Sequence, residues 1–369
     1  MATASIISNH GTVTLPEPLP LDGGQRLDGV EIAYEAYGTL NPARDNAIFV
    51  AHATTGDQHV ASPHPITGKP GWWDRMVGPG KPIDTTRFYV LSANVLGGCM
   101  GSTGPGSLAA DGKPYAMRFP VITIRDMVRA HVALLKELGI ERLHAIVGGS
   151  MGGMQALSLA ANWPDMADRV FAIASTATMA AQNIAFQEVG RQAIMADPDW
   201  QEGNYYGTGK APDAGLSVAR MAAHITYLSE ESLTGKFGRR LQDRDAKSFG
   251  FDADFQVERY LRHQGLSFTG RFDANSYLYI TRAMSYFDLE EEQGGRLAEA
   301  FARTHAKFCV ISFDTDWLYP TPQSRKLVHA LNAAGAPVSF VELAAPFGHD
   351  SFLLDVPALD RVVKGFLEQ

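Results

Sequence analysis

Five residues, Gly148-Gly149-Ser150-Met151-Gly152, constrain this chain more than any others. They follow an apolar run at residues 143–147 and lead into a helix-like segment at 154–162. A glycine-flanked serine between a strand and a helix is a nucleophile elbow. Its turn is so tight that only small residues fit two positions either side of the serine, and Gly148 and Gly152 stand there. The turn lifts the Ser150 hydroxyl above a sheet. It also aims the amide of Met151 at the oxygen that becomes negative when the serine attacks a carbonyl. In a chain with 36 glycines the five-residue pattern alone is weak; the strand before it and the helix after it give it weight.

The rest of the chain supplies a setting for such an elbow. Residues 30–37, 46–51, 88–93, 307–313 and 338–343 read as further strands. Residues 124–138 read as a helix with Ile124, Val128, Val132, Leu135 and Leu138 on one face, a capping box from Thr123 and Asp126, and Gly139 as its stop. His131 lies beside that face and reads as a packed structural histidine. A helix after residue 320 has Thr321 as cap, Pro322 at its first position and Gly335 at its end, and residues 357–367 form a closing amphipathic helix. Strands alternating with helices imply a mostly parallel sheet covered on both faces. With the elbow, this is an α/β-hydrolase fold. Residues 176–303 break the pattern, being polar, helix-rich and glycine-punctuated, and read as an inserted helical lid. The expected division is therefore a core of 1–175 and 304–369 with a lid of 176–303.

A serine hydroxyl needs a base to take its proton, and the base needs an acid to hold its tautomer. In this fold the three follow in the order serine, acid, histidine, each on a loop after a strand. Ser150 follows one strand. Asp314 and Asp316 follow the 307–313 strand and compete as the acid. His349 follows the last strand, within Pro346-Phe347-Gly348-His349-Asp350. The second oxyanion amide should come from the loop after the 46–51 strand, where His52-Ala53-Thr54-Thr55-Gly56 makes Thr54 the candidate beside Met151. His52 reads as a strand-end residue that shapes this loop. The set His52, His59 and His64 lacks a metal-site pattern, and no metal is expected. Residues 57–86, with Trp72-Trp73, form a long Gly- and Pro-rich loop. The glycine-rich stretch 97–105 lacks the lysine of a phosphate-binding loop.

Composition narrows the partners. The formal net charge of -8 argues against nucleic acid or an anionic membrane. Two cysteines imply no disulfide framework and a reducing compartment. Residues 1–10 lack the features of a signal peptide, and no apolar run of membrane-spanning length occurs, so the expected location is cytoplasmic.

The motifs taken together resemble the homoserine O-acyltransferase family of the α/β-hydrolase superfamily, over nearly the whole chain. The resemblance rests on His52-Ala53-Thr54-Thr55-Gly56-Asp57, Gly71-Trp72-Trp73, Met76 to Lys81, Gly98 to Pro105, and Gly148 to Gln155. It continues through Ala219-Arg220-Met221, Thr226-Tyr227, Asp316-Trp317-Leu318-Tyr319-Pro320 and Gly348-His349-Asp350. The family's first loop usually reads His-Ala-Leu-Thr-Gly; here Thr54 replaces the leucine, at a position that serves through its backbone amide. The resemblance implies acyl transfer from acyl-CoA to the side-chain hydroxyl of L-homoserine, an early step of methionine synthesis. It implies Ser150 as nucleophile, Asp316 as orienting acid, His349 as base, and Arg220 and Asp350 as substrate-binding residues. A guanidinium for the carboxylate and a carboxylate for the ammonium of a zwitterion fit on chemical grounds as well. The 97–105 loop looks like the acetyl type, which makes acetyl-CoA the expected co-substrate, with no permanently bound cofactor. A homodimer formed through the lid is also implied. The competing readings are a succinyl donor, a serine acceptor, a serine esterase, and a non-catalytic binding protein on the same fold.

Overall fold

A computed structural model describes residues 7–369; most of the 1–10 stretch read above for a signal peptide lies outside the described residues. The main sheet has eight strands: β1 (Ile7–Thr14), β2 (Glu31–Tyr37), β3 (Ala47–Ala51), β4 (Tyr89–Ala93), β5 (Ala145–Gly149), β6 (Arg169–Ile173), β7 (Lys307–Phe313) and β8 (Val338–Leu343). Their spatial order is β1-β2-β4-β3-β5-β6-β7-β8. The pairs β1–β2 and β2–β4 are antiparallel, and every later pairing is parallel.

Side chains alternate across this sheet into two cores. Phe49 and Ile146 join the cluster beneath α1 (Ile124–Glu137) and α2 (Met151–Asn162). Ile48, Val50, Ala145 and Val147 join the opposite cluster, with Phe171, Val363 and Phe366. Both faces are buried, so the central strands carry apolar residues at every position and not at alternate ones. Phe171 meets Phe366 of the C-terminal helix edge-on, with ring centroids 5.1 Å apart. His131 is buried against Phe49, centroids 4.9 Å apart.

The structure moves several boundaries. The strand before the elbow is Ala145–Gly149, so it runs through both glycines, and α2 starts at Met151, immediately after the serine. Gly148 and Gly149 read as turn residues in sequence, yet they pair with Ala172 and Ile173 of β6. The helix after β7 runs Thr321–Ala333 with Pro320 as its cap, so Thr321 is already helical. Strand β6 is short and follows an acidic turn, and its apolar run is too brief to be told from a loop by periodicity.

Between β6 and β7 the chain makes five longer helices: α3 (Ala181–Met195), α4 (Asp213–Tyr227), α5 (Glu230–Lys236), α6 (Gln256–Thr269) and α7 (Ala274–Ser285). Helix α4 packs against both α3 and α6. Extended pairing in this stretch is confined to single bridges. Among the described residues no helix is long and apolar enough to cross a membrane. Residues 52–56 after β3, the elbow after β5, residues 314–316 after β7 and residues 348–349 after β8 all leave the carboxyl edge of the sheet. That edge is where ligands bind in open α/β folds.

Candidate active site

Ser150 sits at φ 57° and ψ −124°, backbone that a side chain adopts only under constraint. Its amide donates to the Ile173 carbonyl at 3.0 Å, and its carbonyl accepts from Ser175 Oγ at 2.8 Å. The surrounding glycines explain the tightness. A Cβ at Gly148 would lie 2.1 Å from the Gly152 carbonyl oxygen, and one at Gly152 would lie 2.1 Å from that of Ala51. Helix α2 therefore docks backbone to backbone on the end of β3. The amide of Met151 is the first of this helix, one of the amides that no intrahelical carbonyl can satisfy.

His349 and Asp316 are both buried, with His349 Nδ1 2.9 Å from Asp316 Oδ2. The other carboxylate oxygen accepts the amides of Leu318 at 2.9 Å and Tyr319 at 3.0 Å. Asp314 lies apart: it is exposed, and its Oδ1 accepts from the Ala345 amide at 3.0 Å. Gly348 at φ 69° lets the histidine loop approach the chain after α4, since a Cβ there would stand 2.5 Å from the Ser229 amide nitrogen. Trp317 Nε1 donates to the Leu228 carbonyl at 3.0 Å. The inserted helices thus grip the loops that carry Asp316 and His349.

The loop after β3 is held from several sides. His52 Nε2 accepts from the Val95 amide at 3.1 Å, and burial draws its pKa below the usual histidine range. Arg271 Nη1 donates to the Thr55 carbonyl at 3.1 Å. Trp72 Nε1 donates to the Asp57 carbonyl, and Trp73 Nε1 to that of Phe352, each at 2.8 Å. One tryptophan pair in the long 57–86 loop therefore ties down both the 52–57 loop and the turn after His349. His59 Nδ1 lies 2.8 Å from Asp57 Oδ1, and His64 Nε2 lies 3.1 Å from Asp57 Oδ2. Among the described residues no group of three or more His, Cys, Asp or Glu is placed to hold a metal ion.

Thr54, Ser150, Arg220, Tyr227, His349 and Asp350 line one pocket of about 450 Å³. All the candidate residues except Asp316 and Met151 face this space, and those two adjoin its walls through His349 and Ser150. Arg220 Nη1 donates to Thr55 Oγ1 at 3.2 Å, and its guanidinium stacks on Phe268 at 4.7 Å. These direct contacts are with neutral groups. Burial pushes the Asp350 carboxyl above its usual range, against the opposing pull of His349 and Arg220. Burial and the neighbouring Arg220 charge pull Arg271 down to about 10. A second pocket, of about 460 Å³, also opens on Ser150, with Thr54, Phe186, Met284, Leu318 and Tyr319 among its walls. Sequence reasoning assigned no role to Arg271 or Tyr319. Tyr319 stood in the quoted Asp-Trp-Leu-Tyr-Pro motif, whereas nothing in the sequence marks Arg271, which lies in the turn just beyond the end of α6.

Strand order, elbow and buried Asp–His pair define an enzyme of the α/β-hydrolase class. The family model for the alpha/beta hydrolase fold matches residues 66–356. Homoserine O-acetyltransferase of Zymomonas mobilis subsp. mobilis is 67% identical over 357 residues, which cover 96% of each chain. The crystal structure of homoserine O-acetyltransferase from Bacillus anthracis superposes with a TM-score of 0.91 at 27% identity over 99% of both chains. Esterase E22 superposes with a TM-score of 0.88 at 31% identity, over 97% of this chain and 99% of its own. The chain belongs to the homoserine O-acetyltransferase family.

Proposed function

We propose that the chain moves an acetyl group from acetyl-CoA to the side-chain hydroxyl of L-homoserine in two steps through Ser150. The observation that carries this reading is the single pocket shared by Ser150, His349, Arg220 and Asp350. A plain esterase needs the first two alone. A pocket that adds a guanidinium and a buried carboxylate suits a zwitterionic acceptor, whose two charges they read.

In the first step His349 Nε2 takes the Ser150 proton and Oγ attacks the thioester carbonyl. The amides of Met151 and Thr54 hold the resulting oxyanion. Asp316 keeps the His349 ring in the tautomer that leaves Nε2 free to accept. The thiol of CoA departs with that proton. Homoserine then enters, with its carboxylate toward Arg220 and its ammonium toward Asp350, and His349 activates its hydroxyl against the acetyl ester. Burial raises the free energy of the Asp350 charge, so an arriving ammonium is bound the more strongly. The second pocket beside Ser150 has no charged side chain among its described lining, which suits a small neutral acyl group better than a succinyl carboxylate.

Acetyl-CoA is a co-substrate in this reading and no cofactor stays bound. The reaction belongs to methionine synthesis in the cytoplasm. Exposed Ile184, Val189, Val218, Ile225 and Leu266 on α3, α4 and α6 support a homodimer formed through the inserted helices. The test is a matrix of acetyl-CoA or succinyl-CoA against homoserine, serine or water. Acetyl transfer to homoserine should dominate. Hydrolysis as fast as transfer would favour the esterase reading that the likeness to esterase E22 keeps in play.

A further inference from the structure

Helix α4 turns one stripe of side chains to the pocket that holds Ser150. Arg220, His224 and Tyr227 follow one another at successive turns of this helix, and all three line that space with His349 and Asp350. His224 is 7% exposed. Its Nδ1 lies 3.3 Å from the hydroxyl of Tyr260 on α6. Its Nε2 is buried and meets no hydrogen-bond partner among the described residues. Other buried polar atoms share that lack, but among the described residues none of them belongs to a side chain lining either pocket on Ser150. Burying a polar atom without a partner is unfavourable, and in a pocket wall the missing partner is a ligand atom.

Resting on the acceptor reading above, we propose that His224 Nε2–H is a second donor, beside Arg220, to the carboxylate of the amino-acid acceptor. A phenol is a stronger acid than a neutral imidazole N–H. The Tyr260 hydroxyl therefore donates to Nδ1, and the ring proton stays on Nε2. Cations surround the ring: Arg220 stands one turn away on α4, and Lys236 Nζ lies over the Tyr260 ring at 4.6 Å. Burial first, and then the charges of Arg220, Arg271 and Lys236, push the His224 pKa down to about 3 and keep the imidazole neutral. His224 thus adds direction without adding charge. Arg220 supplies the charge that attracts the carboxylate, and a neutral N–H one turn along the helix fixes it at a second point. With the ammonium on Asp350, the acceptor is held so that its side-chain hydroxyl is presented to the acetyl ester on Ser150. Tyr260 acts through the imidazole, as a positioning residue.

The experiment compares homoserine with propanolamine, the amino alcohol that homoserine becomes without its carboxylate. Ser150 is acetylated by p-nitrophenyl acetate, whose nitrophenolate burst counts the acetyl-enzyme, and separately by acetyl-CoA. The rates at which each acceptor discharges the isolated acetyl-enzyme give a preference ratio. In His224→Leu the preference for homoserine should fall by about tenfold, the loss of one hydrogen bond to a charged group. His224→Gln keeps an N–H donor and should hold the ratio within about threefold of wild type. An unchanged ratio in His224→Leu overturns the proposal. So does equal slowing with both acceptors, which would mean that His224 only supports α4, and so does a His224→Gln enzyme as poor as His224→Leu. Should the variants not fold, nitrogen NMR of the imidazole in wild-type enzyme decides. The proton should sit on Nε2 and shift downfield with homoserine but not with propanolamine; a proton on Nδ1, or no shift, overturns the proposal. A wild-type enzyme with no preference for homoserine defeats the acceptor reading and this proposal together, whereas a wild-type preference that His224→Leu retains defeats this proposal alone. If wild-type enzyme takes no acetyl from acetyl-CoA, the donor assignment fails, and the p-nitrophenyl acetate arm still judges His224.

Discussion

Replacing Gly152 with alanine asks whether the backbone contact between α2 and β3 sets the candidate oxyanion site. An alanine Cβ at this position would lie 2.1 Å from the Ala51 carbonyl oxygen, 2.9 Å from its carbonyl carbon and 3.3 Å from the His52 oxygen. Ordinary carbon–oxygen contacts lie at about 3.3 Å or more, so something must retreat by about 1 Å. Both sides of the clash are backbone, and no side chain can turn away. Helix α2 carries the Met151 amide and the end of β3 leads to Thr54, so that retreat pulls the two proposed oxyanion donors apart. A misplacement of about 1 Å costs about 10²-fold in rate, and overpacking costs about 1–3 kcal/mol of stability. The assay pairs urea denaturation with the p-nitrophenyl acetate burst, using Gly270→Ala as control because a Cβ there meets nothing within 4 Å. A Gly152→Ala enzyme that keeps the wild-type burst rate and stability refutes the steric reasoning. So does a control that loses as much.

Three further outcomes follow from the same geometry. Asp316→Asn should lower turnover by about 10⁴-fold through the wrong His349 tautomer, whereas Asp314→Asn, at an exposed carboxylate, should be mild; steady-state kinetics on both variants decides, and a reversed pair would move the acid to Asp314. Arg220→Ala should leave acetylation of Ser150 nearly unchanged and weaken use of homoserine by about 1.5–3 kcal/mol, which Arg220→Lys should not fully restore; equal loss in both half-reactions would place the acceptor site elsewhere. Burial holds the folded pKa of His131 near 3 against 6.5 for a free histidine, so the unfolded chain takes up the proton first as pH falls. The contribution is intact above pH 6.5 and is lost toward pH 3, at up to about 1.4 kcal/mol per pH unit. His131→Asn should flatten the fall in urea-derived stability between pH 7 and 5 by about that slope, and an unchanged slope would contradict a buried neutral histidine.

How far the sequence could be read depended on the range of the interaction. The elbow was legible because its geometry is local: strand, serine and flanking glycines are consecutive in the chain, and only glycine tolerates the contacts found at Gly148 and Gly152. The order of Ser150, the acidic loop and His349 was legible because each follows a strand, although spacing alone left Asp314 and Asp316 competing. The structure separates them by a long-range contact, since Asp316 and not Asp314 reaches His349. Strand β6 went unread because a five-residue buried run carries no period of its own. Arg271 was invisible for a related reason. Its hydrogen bond to Thr55 joins residues 216 positions apart, and no local pattern marks a guanidinium that packs on Phe268 and steadies a distant loop.

The claim on which the rest depends is that Ser150 carries the acetyl group. Incubation with acetyl-CoA alone, followed by peptide mass spectrometry, tests it directly. The two-step mechanism predicts release of CoA, one added acetyl mass on the peptide that contains Ser150, loss of that mass when homoserine is added, and no such mass in a folded Ser150→Ala variant. Transfer that proceeds at the wild-type rate with no acetyl on Ser150, or that survives in Ser150→Ala, would contradict it.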